Sequence, residues 1–144
     1  MAVILALDVG EKTIGVALSD ESETFALPGA TILRQEGYRR DMAAVRALIE
    51  ERGVQEVVVG LPLMMDGSRG VQAEKAEEFV SQLKRYTRLP IHLQDERLST
   101  SEAERVLIAA GRRREQRKQV VDSAAASVIL QSFLDRRKRQ AGPA

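Results

Sequence analysis

Three carboxylates stand where their neighbours make a charge costly. Asp8 closes an apolar run that begins at Ala2, and Asp95 and Glu96 follow a second short strand-like segment. Asp122 shares a helical stripe with Ala125, Ala126, Ile129 and Phe133. An unpaired charge on such a stripe is expensive. Each has a structural explanation of its own. Asp8 would bond turn amides, Glu96 would pair with Arg97, and Asp122 would cap its helix. Three such residues at converging element ends favour a shared site instead. Two carboxylates about 5 Å apart, at an effective dielectric near ~20, repel by about 3 kcal/mol. Three do not all stay ionised unaided, and a divalent cation resolves the conflict. All-oxygen donors select Mg²⁺ or Mn²⁺ over zinc. Carboxylate-held ions of this kind most often serve phosphoryl chemistry, activating water and stabilising the attacking and leaving oxygens.

Composition removes the competing chemistries. The chain of 144 residues has no Cys and one His, His92. That excludes disulfide frameworks, thiol nucleophiles, iron–sulfur clusters and Cys- or His-rich metal sites. Aromatic residues are 3% of the chain and none is Trp, which disfavours modules that read bases on several stacked rings. There is no G-x-x-x-x-G-K-[ST] segment and no G-x-G-x-x-G segment. His92 has Ile91 and Leu93 on the opposite strand face and reads as a half-buried structural residue. The opening apolar run is too short to span a bilayer, which implies no membrane. The missing cysteines fit a cytoplasmic setting.

Charge is unevenly distributed although the net charge is +1. Residues 1–110 hold 13 Lys/Arg against 18 Asp/Glu, and residues 111–144 hold 9 against 3, balances of −5 and +6. A polyanion partner would meet the C-terminal quarter, at 112–114, 117–118 and 136–139.

The elements that position these residues follow from hydrophobic pattern. Residues 2–7 read as a strand buried on both faces, 13–19 as its hairpin partner, and 24–33 as a third strand interrupted at Pro28-Gly29. Residues 39–52 read as a helix ended by Gly53. Residues 56–60 read as a Val-rich strand, 62–70 as a loop, 72–88 as a helix and 90–94 as a fifth strand. A helix over 99–110 starts with Ser99 and Glu102 at capping-box spacing. Residues 111–119 read as a basic linker, and 120–137 as the last helix. Strands joined through helices imply a parallel portion, and the hairpin implies an antiparallel one. The expectation is an α/β fold, a five-stranded mixed sheet with helices on both faces. Residues 1–138 would form one domain, and 139–144 a disordered basic tail.

An ordered set of motifs resembles the YqgF/RuvX family across nearly the whole chain. Asp8-Val9-Gly10, followed by Ile14 to Asp20, resembles its opening. Gly60-Leu61-Pro62 with Asp66-Gly67 resembles its next motif. Asp95-Glu96-Arg97-Leu98-Ser99-Thr100 resembles its D-E-R block, and Val121 to Ala125 with Ile129-Leu130-Gln131 its final helix. In the turn after Asp8, Lys12 and Thr13 stand where many relatives have Arg. Lys12 cannot reproduce Arg's bidentate fork. The resemblance implies a ribonuclease H-like fold related to RuvC-type resolvases. It implies a divalent-metal-dependent nuclease, with pre-16S rRNA 5′-end processing as the usual assignment and Holliday junction or branched-DNA cleavage as the older one. The implied metal and catalytic residues are Asp8, Glu96 and Asp122, with Asp95 as a fourth candidate ligand.

Basic residues then acquire roles. Arg97 would hold the scissile phosphate or orient Glu96. Lys12, Arg69, Arg112, Arg113, Arg114, Arg117 and Lys118 would contact flanking phosphates of structured RNA or branched DNA, without reading sequence. Symmetric junction cleavage would need a homodimer. Two other classes compete. Actin-like ATPases and sugar kinases share the Asp-x-Gly strand-turn, but bind nucleotide between two such domains. A non-catalytic ribosome-assembly module would have little use for three costly acids.

Overall fold

A computed structural model of the chain describes residues 3–64, 66–95 and 114–141, with side chains of the last segment given for 124–139. The elements are β1 (Val3–Val9), β2 (Thr13–Ser19), β3 (Ala26–Pro28), β4 (Ile32–Leu33), α1 (Arg39–Arg52), β5 (Val54–Leu61), α2 (Val71–Leu83), β6 (Ile91–Asp95) and α3 (Arg114–Ala141). The sheet runs β3-β2-β1-β5-β6, with β4 also on β2. β1 pairs antiparallel with β2 and parallel with β5, and β5 parallel with β6. The parallel pairs follow from α1 and α2, which serve as crossovers.

β1 is apolar on both faces because each face meets a different layer. Leu5 and Leu7 pack with Met42 and Val45 of α1 and Phe79 and Leu83 of α2. Ile4 and Ala6 pack with Ala17, Val58 and α3 residues Ala126, Ile129 and Leu130. Fully burying a Leu or Ile stabilises by about 1.5–3 kcal/mol. A one-residue slip of β1 would exchange the two sets, so its register is strongly specified.

Several boundaries differ from the sequence reading. β1 runs two residues further, through Asp8 and Val9, because Asp8 pairs with Gly15 and Val9 with Ile14. The expected third strand is two short strands, both on β2, so the sheet has six strands rather than five. Pro28 cannot donate to a ladder. Gly29 then turns in so closely, its N–H donating to the Val16 carbonyl at 2.7 Å, that a Cβ there would lie 3.0 Å from Val16 Cγ1. Gly53 does cap α1 in the left-handed conformation. The expected linker is overturned from Arg114 onward: α3 begins there, and 114–119 are helical. Arg, Glu, Gln and Lys are good helix formers, and their charge alone gives no reason for a break. α3 continues to Ala141, through the first residues of the expected tail. The expected helix over 99–110 lies outside the described residues. Among the described residues, no helix is long and apolar enough to cross a membrane.

An ion pair fastens the far end of α3 to the sheet. Arg137 donates from both terminal nitrogens to Glu56 of β5, each at 2.8 Å. His92 Nε2 lies 3.0 Å from the same carboxylate, and its ring lies 5.2 Å from that of Phe133. His92 is thus the half-buried structural residue its strand position suggests. The Arg137 hydrogen bonds, against the opposing effect of burial, hold the Glu56 carboxyl down at about 2 from an ordinary 4.5. Its native pKa is depressed, so the stabilisation is present above the unfolded value and is lost as pH falls through that window. Glu56→Gln is expected to cost about 1–3 kcal/mol at pH 7 in urea denaturation. The gap to wild type should close as pH approaches 2; a gap of equal size at pH 7 and pH 2.5 would refute the clasp.

Candidate active site at the carboxyl ends of the parallel strands

The carboxyl ends of β1, β5 and β6 lie along one edge of the sheet, where open α/β sheets gather ligands. Asp8 lies there, half-buried, in β1. Strand alternation puts it on the face of Ile4 and Ala6, the face that α3 covers. Its cross-strand partner on β2 is Gly15. On the other side, Gly60 follows Val59, the partner of Leu7, and shares the α3 face with Val58. Glycine thus stands on both flanks of this carboxylate, and both glycines are buried. Gln94, buried and paired with Gly60 in register, lies on the same face.

α3 covers the face of the sheet to which Asp8 belongs. Its C-terminal part is anchored at Glu56, near the start of β5. Asp122 lies in α3, ahead of the buried Ala125, Ala126 and Ile129. Its side chain, and Glu96 entirely, lie outside what the structure describes. Among the described residues no three acidic or His side chains form a metal cluster. Asp95 ends β6 on the other face, the parity of Ile91 and Leu93, level with Leu61. Alternation thus separates Asp95 from Asp8.

The expected phosphate contacts fare variously. Lys12 is exposed in the β1–β2 turn. Arg69 is paired with Glu77, its Nε donating at 2.8 Å. Arg114, Arg117 and Lys118 lie in the first turns of α3, and their side chains are not described. Arg97, Arg112 and Arg113 lie outside the described residues. A cleft of about 460 Å³ opens on the α1–α2 side of the turn, lined by Glu11, Arg34, Tyr38 and Lys75 among others. Lys75 and Glu11 pair across it at 3.3 Å.

Sequence reasoning missed the latch that holds the turn after Asp8. Arg34 donates from Nε to Asp41 at 2.9 Å and from Nη1 to the Gly10 carbonyl at 2.7 Å. Its backbone N–H donates to the Lys12 carbonyl at 2.9 Å. Asp41 is 1% exposed and also accepts from the Gln35 N–H at 3.1 Å. The turn closes further through the Gly10 N–H to the Thr13 carbonyl, and a Cβ at Gly10 would meet that oxygen at 3.0 Å. The available signal was Asp41, an acid on the buried stripe of α1 beside Met42 and Val45.

Comparison with solved structures defines the class. The chain superposes on Thermus thermophilus RuvC in complex with a Holliday junction substrate with a TM-score of 0.60, at 16% identity, covering 96% of this chain and 97% of that one. A fowlpox virus resolvase bound to Holliday junction DNA gives 0.55 at 12% identity, covering 94% and 98%. The fold is that of the RuvC-like resolvases, a ribonuclease H-like fold. Residues 2–136 match the family model RuvX, Holliday junction resolvase, and the chain belongs to that nuclease family. A relative from Caldanaerobacter subterraneus subsp. tengcongensis, named "Putative pre-16S rRNA nuclease", is 46% identical over 140 residues, covering 94% of this chain and 97% of its own. One of the same name from Moorella thermoacetica is 49% identical over 133 residues, covering 92% and 94%.

Arg34→Ala would leave the buried Asp41 unpaired and is expected to cost about 2–4 kcal/mol in urea denaturation. The double variant Arg34→Ala/Asp41→Ala should be less destabilised than the sum of its single variants. Strict additivity would show that the two residues do not act as a pair.

Proposed function

We propose that the chain is a metal-dependent nuclease that hydrolyses phosphodiester bonds in 5′-end processing of pre-16S rRNA, in the cytoplasm. The observation that carries this reading is Asp8, half-buried between two glycines at the carboxyl edge of the central strand, facing the layer that bears Asp122. The donor chemistry fits a hard ion: Asp8, Glu96 and Asp122 are oxygen ligands suited to Mg²⁺ or Mn²⁺. A bound ion would supply charge stabilisation at phosphorus and an activated water. Asp95 is left out of the ligand set because it belongs to the opposite face of the sheet.

The chain's own contribution is position and charge. Rigid strands hold Asp8, and the Arg34–Asp41 latch fixes the turn beyond it. Lys12, at the exposed turn, and Arg97, Arg112, Arg113, Arg114, Arg117 and Lys118 supply phosphate contacts. Arg69 joins them only by exchanging Glu77 for a phosphate. Such contacts make affinity fall steeply with salt.

A second reading, cleavage of Holliday or branched DNA by a homodimer, is favoured by the description of the matching family model. One experiment separates them. End-labelled precursor-rRNA fragments and a four-way DNA junction are incubated in parallel with wild type, Asp8→Asn, Glu96→Gln and Asp122→Asn, under Mg²⁺ and Mn²⁺. Wild type should cut the RNA, and each variant should lose on the order of 10²-fold or more, the size of effect known for electrostatic groups in active sites. Preferred junction cutting would select the second reading. Binding of both substrates without cutting either would select a non-catalytic assembly module. Cutting undiminished in Asp8→Asn would remove Asp8 from the site.

A further inference from the structure

The basic run at 136–139 takes no part in the site described above, yet two of its residues line a cleft of about 490 Å³ along the seam of β6 and α3. His92, Leu93, Gln94, Phe133, Arg136 and Arg137 line it, and among the described residues no carboxylate does. We propose that this seam is a subsite for a single-stranded stretch of nucleic acid flanking the cleaved bond. The inference rests on the nuclease reading for its substrate class.

The seam is built before any ligand arrives. Glu56 holds Arg137 bidentately and meets the His92 ring as well. The Arg137 guanidinium lies 4.6 Å from the Phe133 ring centroid, and Phe133 lies against His92. These contacts make a pre-ordered cluster of planar groups, of the kind on which bases stack with little regard to sequence. Glu56 and, at 3.6 Å, Glu23 already balance the charge of Arg137. Arg136 is different. It is exposed at the lip of the cleft and makes no ion pair among the described residues. Its guanidinium is the group available to a phosphate, and its fork suits one bidentately.

Placement gives the seam its purpose. β6 leads directly from His92 to Asp95 at the carboxyl edge, about 10 Å away. A stacked strand advances about 3.4 Å per nucleotide, so some three nucleotides connect the edge with the seam.

The test is binding of a labelled 12-nucleotide single-stranded RNA, followed by anisotropy in a chelator so that no cutting occurs. Arg136→Glu should weaken binding about tenfold or more, while Arg136→Lys should keep affinity within about threefold. In Arg136→Ala the slope of log affinity against log salt should become shallower by about 0.7, one phosphate contact to a single strand. Arg46→Glu, a charge reversal at an exposed residue of α1, serves as the control and should bind like wild type. Wild-type affinity in Arg136→Glu, or an equal loss in Arg46→Glu, would overturn the subsite. Binding is read without metal, so failure of the nuclease reading would appear only in the cleavage assay. Failure of the seam would appear only here.

Discussion

The rest of the structure depends on the burial of β1 between two unlike layers. Leu5 and Leu7 face α1 and α2, and Ile4 and Ala6 face α3. No alternative register satisfies both sets, because a shift of one residue exchanges every side chain between layers. The same alternation then fixes where Asp8 points. A charged residue two positions beyond Ala6 must emerge on the α3 face, at the strand's open end. Packing energy spent on four apolar residues thus sets the direction of one carboxylate.

The second layer is held with matching economy. α3 covers the sheet through Ala126, Ile129, Leu130 and Leu134, small and branched side chains that let the helix lie close to Ala6 and Ala17. Apolar packing of this kind resists separation but only weakly resists sliding along the strands. The polar ties supply the axial registration. Arg137 grips Glu56, and Gln131 accepts from the Ala26 N–H at 3.0 Å and donates to the Thr24 carbonyl at 2.9 Å. Both ties are directional, so they fix the position of α3 on the sheet. Asp20 plays a comparable local part: its Oδ1 accepts from the Thr24 and Phe25 N–H groups, at 2.9 and 3.0 Å, and shapes the turn that presents those partners to Gln131.

Function divides along the same lines. The carboxyl edge carries Asp8 between two glycines, an oxygen donor suited to chemistry on phosphate. The seam of β6 and α3 has planar groups and, in Arg136, a guanidinium with no ion pair among the described residues, the requirements for holding a strand. The Glu56–Arg137–His92 cluster belongs to both stories, since it registers α3 and orders the planar groups beside the seam. Arg34 and Asp41 do for the β1–β2 turn what Glu56 and Arg137 do for the helix.

Much of this was legible in the residues. The apolar run ending at Asp8, the stripe beneath Asp122, the helix over 39–52 with its Gly53 cap and the ordered motifs of the family are all local patterns, and local pattern is what hydrophobic period and turn chemistry encode. The boundary between linker and α3 differs from the sequence expectation because the charged run 114–119 is rich in Arg, Glu, Gln and Lys, which favour helix. The split of 24–33 into two strands depended on Gly29 packing against Val16, a contact thirteen residues distant. The sequence by itself therefore determined the fold class, the family and which acids to suspect. Only the tertiary structure decided that Asp8 and Asp95 lie on opposite faces, that Arg34 latches to Asp41, and that Arg137 is held by Glu56 while Arg136 makes no ion pair among the described residues. Those facts depend on which side chains meet across the sheet, and pairing between distant segments is a property of packing that no local period carries.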